Sequence, residues 1–129
     1  MPLSFVIDKQ SRLVISTASG AVTYSEIAAH QVGLRNHPDF DPTFDQLIDA
    51  TGVKKIAVTI EEIRTVARQR IFEAGSRQAF ATSSEFAYGM ARMFELYREA
   101  SGSARPVRVF NSLEAAQEWL QPVRQQKKA

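Results

Sequence analysis

The first part of the chain contains two short segments in which apolar and polar residues alternate. They span residues 3–7 and 12–17, and a polar turn at 8–11 separates them. Alternation of this kind on both sides of a short polar turn is typical of an antiparallel β-hairpin. We expect Gly20 to end the second strand, because glycine weakens strand interiors.

Two helices are predicted from capping boxes, in which a glutamate follows a threonine at the third position. Thr23 with Glu26 predicts a helix over residues 24–35, and Thr59 with Glu62 predicts one that ends near residue 72. In each box the threonine hydroxyl accepts a hydrogen bond from a helical amide, and the glutamate carboxylate accepts one from the threonine amide. Polar capping residues also precede two further predicted helices, one over residues 85–100 and a final one ending near residue 120.

Short β-rich segments lie between these helices. Residues 44–49, 77–82 and 106–110 are predicted strands, whereas 54–58 fits either a loop or a short extended segment. The resulting order is β-β-α-β-α-β-α-β-α, and helices that alternate with strands form crossovers between parallel strands. The pattern predicts one α/β domain over residues 1–129, with a mixed, mostly parallel sheet, an antiparallel first strand, four helices and a frayed tail at 121–129.

The composition is that of an ordinary globular protein, with 44% hydrophobic and 23% charged residues. The 16 basic and 14 acidic residues are spread along the chain, so we expect no nucleic-acid partner. Arg124, Lys127 and Lys128 form a local basic cluster, which we interpret as a solvated terminus, with contact to nucleic acid or an anionic membrane as the alternative. No apolar run is long enough to cross a bilayer, which predicts a cytoplasmic protein without stable membrane insertion.

Few motifs in the chain carry chemistry. There is no cysteine, phosphate-binding glycine loop or nucleophile elbow. His30 and His37 are seven residues apart, roughly 10 Å along a helix, which is too far for one metal ion. Asp45 and Asp49 lie about 13 Å apart on a predicted strand, further than the carboxyl pair of a glycosidase. We therefore expect no metal site, no cofactor and no enzymatic activity, and an enzyme of unknown class is the alternative.

Two segments resemble the SpoIIAA-like family of small bacterial proteins. They are residues 77–81 (RQAFA) together with 86–95 (FAYGMARMFE), and residues 107–120 (VRVFNSLEAAQEWL). The order of elements is similar to that of the STAS domain, the fold of bacterial anti-sigma-factor antagonists, and the SpoIIAA-like fold is also likened to CRAL-TRIO lipid-binding domains. The resemblance covers about residues 3–120 and implies a STAS-like fold with a regulatory or carrier role.

The chain departs from the classical antagonists at their phosphorylation site. Those proteins carry an Asp-Ser-Ser-Gly-like motif at the start of the helix after the third strand, whereas this sequence has VTIEE at residues 58–62. Thr59 is the only hydroxyl residue there, and we interpret it as a helix cap. The alternative is a phospho-switch at Thr59 in an anti-sigma-factor antagonist.

Ligands of open parallel sheets bind beyond the carboxyl ends of the strands. The residues that we expect to form a ligand or partner site there are Asp49, Thr51, Ser83, Ser84, Tyr88, Asn111 and Ser112. Helix N-termini in the same loops present free amides, which favours an anionic headgroup; for Asp49 the alternative is a hydrogen bond to the loop that follows it. We predict a non-enzymatic regulatory or carrier module that binds an apolar, lipid-like or anionic small ligand, or a protein partner.

A stripe of large apolar residues runs along the helix predicted over residues 85–100: Phe86, Met90, Met93, Phe94 and Tyr97. Their helical spacing predicts that they belong to the core. Methionine and aromatic side chains also suit an apolar ligand pocket or a partner surface. We expect exposed parts of the stripe to support a homodimer, and self-association without any ligand is the alternative function.

Overall fold

The computed structural model describes residues 2–121, which form a five-stranded sheet and four helices. In chain order the elements are β1 (Leu3–Asp8), β2 (Leu13–Thr23), α1 (Tyr24–Arg35), β3 (Asp45–Ala57), α2 (Ile60–Arg68), β4 (Gln78–Thr82), α3 (Glu85–Ala100), β5 (Val107–Phe110) and α4 (Leu113–Leu120). The strands lie side by side in sequence order, with β1 antiparallel to β2 and the other pairs parallel. The predicted fold class is confirmed. The basic cluster of Arg124, Lys127 and Lys128 lies outside the described residues.

The two longest strands, β2 and β3, extend further than predicted. β2 continues through Gly20 to Thr23, and β3 includes residues 54–57, which the sequence pattern left open between loop and strand. β2 and β3 pair as far as Thr23 with Ala57, and the register shifts beside Gly20. Gly20 has a φ of 63°, a left-handed conformation that glycine adopts without strain, so the strand is bulged at this residue instead of ending there.

Helix α2 is shorter than predicted, ending at Arg68 and not near residue 72. The backbone becomes extended at Gln69, with φ −71° and ψ 143°. The chain then brings Phe72 to the core, where its ring makes an edge contact with Phe40 at a centroid distance of 5.2 Å. Tertiary packing provides most of the stability of helices in proteins, so the packing of the partly buried Phe72 outweighs a further helical turn.

Successive strand residues face opposite sides of the sheet and therefore contact different helices. Leu47 packs against α4 on one side. On the other side Val14 packs with Leu34 of α1, and Phe80 of β4 packs with Phe94 of α3. Helix α2 lies against α3 on this second side. Within residues 2–121, α4 thus covers one face of the sheet, and α1, α2 and α3 cover the other.

The predicted core stripe of α3 is correct for Phe94 and wrong for Phe86, which is 57% exposed. The buried residues of the helix instead include Ala87, Ala91 and Arg98 together with Phe94. The buried residues Ala87, Ala91 and Arg98 each follow directly after a residue of the predicted stripe, so the buried face of the helix is rotated by about one residue from the predicted one. Alanine allows the helix to approach the sheet closely, which turns Phe86 towards solvent.

Candidate functional site

A cavity of about 180 Å³ lies between the sheet and helices α1, α2 and α3. Two-thirds of the residues that line it are apolar, including Ile48 and Phe80 from the sheet and Ile63, Met90 and Phe94 from the helices. Protein interiors contain few voids larger than a water molecule. An apolar cavity of this size therefore makes this side of the sheet the principal candidate for a binding site.

One end of the cavity is polar. Ser16 of β2, Gln46 of β3 and Gln78 of β4 line it, and all three are buried. The Nε2 atom of Gln46 donates to Ser16 Oγ at 3.1 Å, and Gln78 Nε2 donates to Gln46 Oε1 at 3.0 Å. The parallel register of β3 and β4 sets the two glutamines side by side at the start of their strands. The polar end thus lies towards the N-terminal edge of these strands.

His30 of α1 continues this polar network. Its Nε2 atom is 2.8 Å from Ser16 Oγ, and its Nδ1 atom is 3.1 Å from Gln31 Oε1. The Gln31 oxygen can only accept, so we assign the proton to Nδ1, and Nε2 then accepts from the Ser16 hydroxyl. Burial lowers the pKa of His30 below its ordinary value of 6.5, although the hydrogen bond to Gln31 acts in the opposite direction. The imidazole is therefore held neutral in the folded protein at neutral pH.

The lowered pKa of His30 predicts a loss of stability in mild acid. Below pH 6.5 the unfolded chain binds a proton at this histidine more readily than the folded chain does, so the free energy of unfolding falls as the pH falls. The expected contribution is up to about 1.4 kcal/mol per pH unit while only the unfolded form is protonated. Urea titrations at several pH values between 8 and 5 measure it.

The matched variants for this measurement are His30→Gln and His37→Gln. The first should show a flatter dependence of stability on pH than the wild type, whereas the second retains His30 and should keep the slope. Equal slopes in the wild type and His30→Gln would contradict the assignment.

Arg105, which precedes β5, closes the polar end and is only 6% exposed. Its Nε, Nη1 and Nη2 atoms donate to Ser76 Oγ, Gln78 Oε1 and Gln46 Oε1, each at 3.3 Å. The guanidinium carbon lies 3.9 Å from the centre of the Phe72 ring. Burial, and then the positive charge of Arg98, lower the pKa of Arg105 to about 9 despite the opposing effect of Asp45. The hydrogen bonds of this cation are thus made to neutral oxygens.

Arg98, in the last turn of α3, is a second buried cation and is 5% exposed. Its Nε atom has no hydrogen-bond partner within residues 2–121, and its guanidinium carbon is 5.1 Å from the centre of the Phe94 ring. Burial, and then the charge of Arg70, lower the pKa of Arg98 to about 10. The described residues that line the cavity include no aspartate or glutamate. The polar end therefore carries positive charge that the lining does not neutralise.

Comparison with known proteins establishes the architecture. No family model and no curated protein matches the sequence. A solved structure, an uncharacterized protein from the DUF3478 family with a SpoIIAA-like fold from Shewanella loihica PV-4, superposes with a TM-score of 0.57 at 14% identity, covering 92% of this chain and 91% of that one. This chain has a SpoIIAA-like fold.

The SpoIIAA-like fold confirms what the resemblance of residues 77–81, 86–95 and 107–120 implied about architecture. At 14% identity the likeness carries no assignment of ligand or activity. Within residues 2–121, no helix is both long and apolar enough to cross a membrane, and no group of three histidine, aspartate or glutamate side chains is placed to hold a metal ion.

Some of the residues predicted to form a site at the strand carboxyl ends contact one another in the SpoIIAA-like fold. Asp49 Oδ1 accepts from the amide of Thr51 at 3.1 Å and from its hydroxyl at 2.6 Å, as in the alternative considered for this aspartate. The Ser83 hydroxyl donates to the Thr51 carbonyl at 2.6 Å. A surface pocket brings Ser83 together with Ser84, Tyr88 and Asn111. These contacts stabilise loops, and the predicted binding role of the cluster stays a prediction.

The predicted hydroxyl caps have the expected local geometry. Ser84 Oγ accepts from the Ala87 amide at 3.1 Å, and Ser112 Oγ accepts from the Ala115 amide at 3.2 Å. Thr59 Oγ1 accepts from the Glu62 amide at 3.1 Å, which confirms it as the cap of α2. None of the seven residues predicted at the strand carboxyl ends lines the cavity.

The polar end of the cavity was not predicted from the sequence, although the sequence contains two signals of it. Met90, Phe94 and Arg98 are spaced four residues apart, so the arginine continues the helical line of two apolar residues. Likewise Gln46 and Gln78 each stand two positions before an apolar residue that lines the cavity. Polar side chains in line with an apolar face indicate a buried network or a ligand contact.

Proposed function

We propose that this protein binds a small, mainly apolar molecule in the cavity between the sheet and helices α1–α3, as a carrier or ligand-responsive module. The observation that carries the proposal is the cavity of about 180 Å³, with its largely apolar wall and a polar network at one end. For comparison, a cavity of about 150 Å³ lined by apolar side chains holds a benzene molecule. The volume fits a single ring or a short alkyl chain and is too small for a two-chain lipid.

An empty cavity of this volume is energetically unfavourable. The apolar side chains that line it lack packing partners on the cavity side. A ligand that fills the space recovers dispersion contacts with the lining side chains. A polar group on the ligand can also interact with Ser16, Gln46 and Gln78 at the polar end of the cavity.

A catalytic role is the competing interpretation, because Ser16 Oγ lies 2.8 Å from His30 Nε2, as in a nucleophile–base pair. Two features favour binding. The partner of His30 Nδ1 is the neutral amide of Gln31, which lacks the charge that stabilises an imidazolium. Ser16 also lies inside β2, paired with both β1 and β3, so the neighbouring amides belong to the sheet and not to an oxyanion hole.

A substitution that fills the cavity tests the proposal. Ala91 of α3 lines the cavity, so Ala91→Leu should occupy part of it, lower the affinity for an apolar ligand at least about tenfold and leave stability within about 1 kcal/mol of wild type. Octanoate and octanamide are suitable probes, since a flexible chain adapts to an irregular cavity. Amide chemical shifts of cavity residues during titration measure binding.

Ala116→Leu is the matched control. Ala116 also sits on a helix facing the sheet, but in the packed cluster beneath α4 on the other face. Overpacking there should lower the free energy of unfolding by about 1–3 kcal/mol while the cavity still binds the probe. The proposal fails if neither probe produces saturable shifts in wild-type cavity residues, or if Ala91→Leu binds them as well as wild type does.

A further inference from the structure

Two arginines place positive charge at one end of the cavity, and the described lining contains no carboxylate to neutralise it. Asp45, which acts electrostatically on Arg105, forms its ion pair with Arg77 at 3.2 Å, and Glu95 pairs with Arg92 at 2.8 Å. Buried charges in proteins are normally paired, because removing a charge from water is costly. The polar end therefore has the electrostatic character of an anion site.

The two cations differ in how completely they are satisfied. Arg105 donates three hydrogen bonds and stacks on Phe72, which fixes its position. Arg98 lies against Phe94 and its Nε–H is buried without a hydrogen-bond partner within residues 2–121. Buried N–H groups are almost always paired, so this donor lacks the acceptor that its surroundings should provide. An acceptor brought by a ligand would satisfy it.

We propose that the ligand of the cavity is a small monocarboxylate with a short apolar chain, and that Arg98 binds its carboxylate. This inference rests on the proposed function and specifies its ligand. A carboxylate oxygen accepts from Nε–H of Arg98, in the forked geometry that arginine provides for carboxylates. Arg105 adds a second positive charge held by Gln46 and Gln78. The apolar chain lies along Met90 and the other apolar lining residues.

Several features favour a carboxylate over a larger or more highly charged anion. The cavity of about 180 Å³ leaves little room beside an alkyl chain or a single ring. Burial keeps His30 neutral, so it adds no further positive charge. The Ser16 hydroxyl and one N–H of each of the Gln46 and Gln78 amides are already used within the network. One available guanidinium edge matches the two oxygens of one carboxylate.

Octanoate and octanamide have the same chain and nearly the same shape but differ in charge, so their relative affinity for the wild-type protein tests the inference directly. We expect octanoate to bind at least about tenfold more tightly than octanamide, as measured by amide shifts of cavity residues. Equal binding of the two probes would overturn the carboxylate inference and leave the proposed cavity function intact. Failure of both probes to bind would instead reject the proposed function, and this inference with it.

Two variants assign the preference to Arg98. R98M retains the apolar stem and should reduce the octanoate-to-octanamide ratio to about one, with octanamide affinity within about twofold of wild type. R98K keeps the charge without the fork and should retain part of the ratio. R98M should also melt at the wild-type temperature or above, since it removes a buried, unpaired charge. A lowered melting temperature with the ratio unchanged would show that Arg98 is structural and overturn the assignment.

Discussion

Gln46→Leu should lower the free energy of unfolding by about 3 kcal/mol. Gln46 is the centre of the buried network, since its Nε2 donates to Ser16 and its Oε1 accepts from both Gln78 and Arg105. Leucine has a similar size but accepts nothing, so it leaves two buried donors without this acceptor, one of them charged. Each unsatisfied donor costs about 1–3 kcal/mol. Denaturant unfolding monitored by circular dichroism measures the change.

Gln117→Leu is the control for this substitution, because Gln117 is exposed on α4. Its effect should stay within about 0.5 kcal/mol. If Gln46→Leu also changes stability by less than 0.5 kcal/mol or so, the network does not contribute to folding as its geometry implies. Addition of Gln78→Leu to Gln46→Leu should be less damaging than the two single effects combined, since it removes one of the unpaired donors.

Leu34→Ala is the second substitution with a large expected effect, a loss of about 2–5 kcal/mol in the free energy of unfolding. Leu34 is 0% exposed and joins α1 to the sheet through Val14 and Phe44. Alanine would leave a void at the point where this helix is attached. The same denaturant titration measures the loss. Because α1 also carries His30 on the cavity wall, weakened probe binding should accompany it.

Val32→Ala on the same helix serves as the comparison. Val32 is 53% exposed, so its truncation should change stability by no more than about 0.5 kcal/mol. Similar losses for both variants would mean that helix propensity, and not burial of Leu34, controls the attachment of α1.

The features predicted correctly from the sequence are those that depend on neighbouring residues. In both capping boxes the threonine and glutamate are three positions apart, so the hydrogen bonds follow from local geometry, and both boxes are present. The hairpin of β1 and β2 and the alternation of strands and helices also arise from local patterns. The end of α2 was mispredicted because no glycine or proline lies between Arg68 and Phe72, and packing of Phe72 against the core accompanies the end of the helix instead.

The cavity depends on contacts between distant parts of the chain. Gln46 meets Gln78 through the parallel register of β3 and β4, 32 positions apart in the sequence. It meets Arg105, which stands two positions before β5, across a separation of 59 positions. Helix α3 packs against the sheet through its buried residues Ala87 and Ala91, and this contact determines which of its other residues face the sheet. Neither relation can be derived from one segment alone, although the spacing of Met90, Phe94 and Arg98 places the arginine in line with two apolar residues. Burial of Arg98 follows from the contact of α3 with the sheet.

Local patterns of hydrophobicity and capping residues thus determine the elements, their order and the α/β class of this protein, since backbone hydrogen bonding within a few residues is enough to specify them. The location and charge of the cavity come from tertiary packing. Strand register brings the polar side chains together, and the helices cover them. Burial then changes the chemistry of His30, Arg98 and Arg105, because desolvation acts on a charge only after the surrounding elements have assembled.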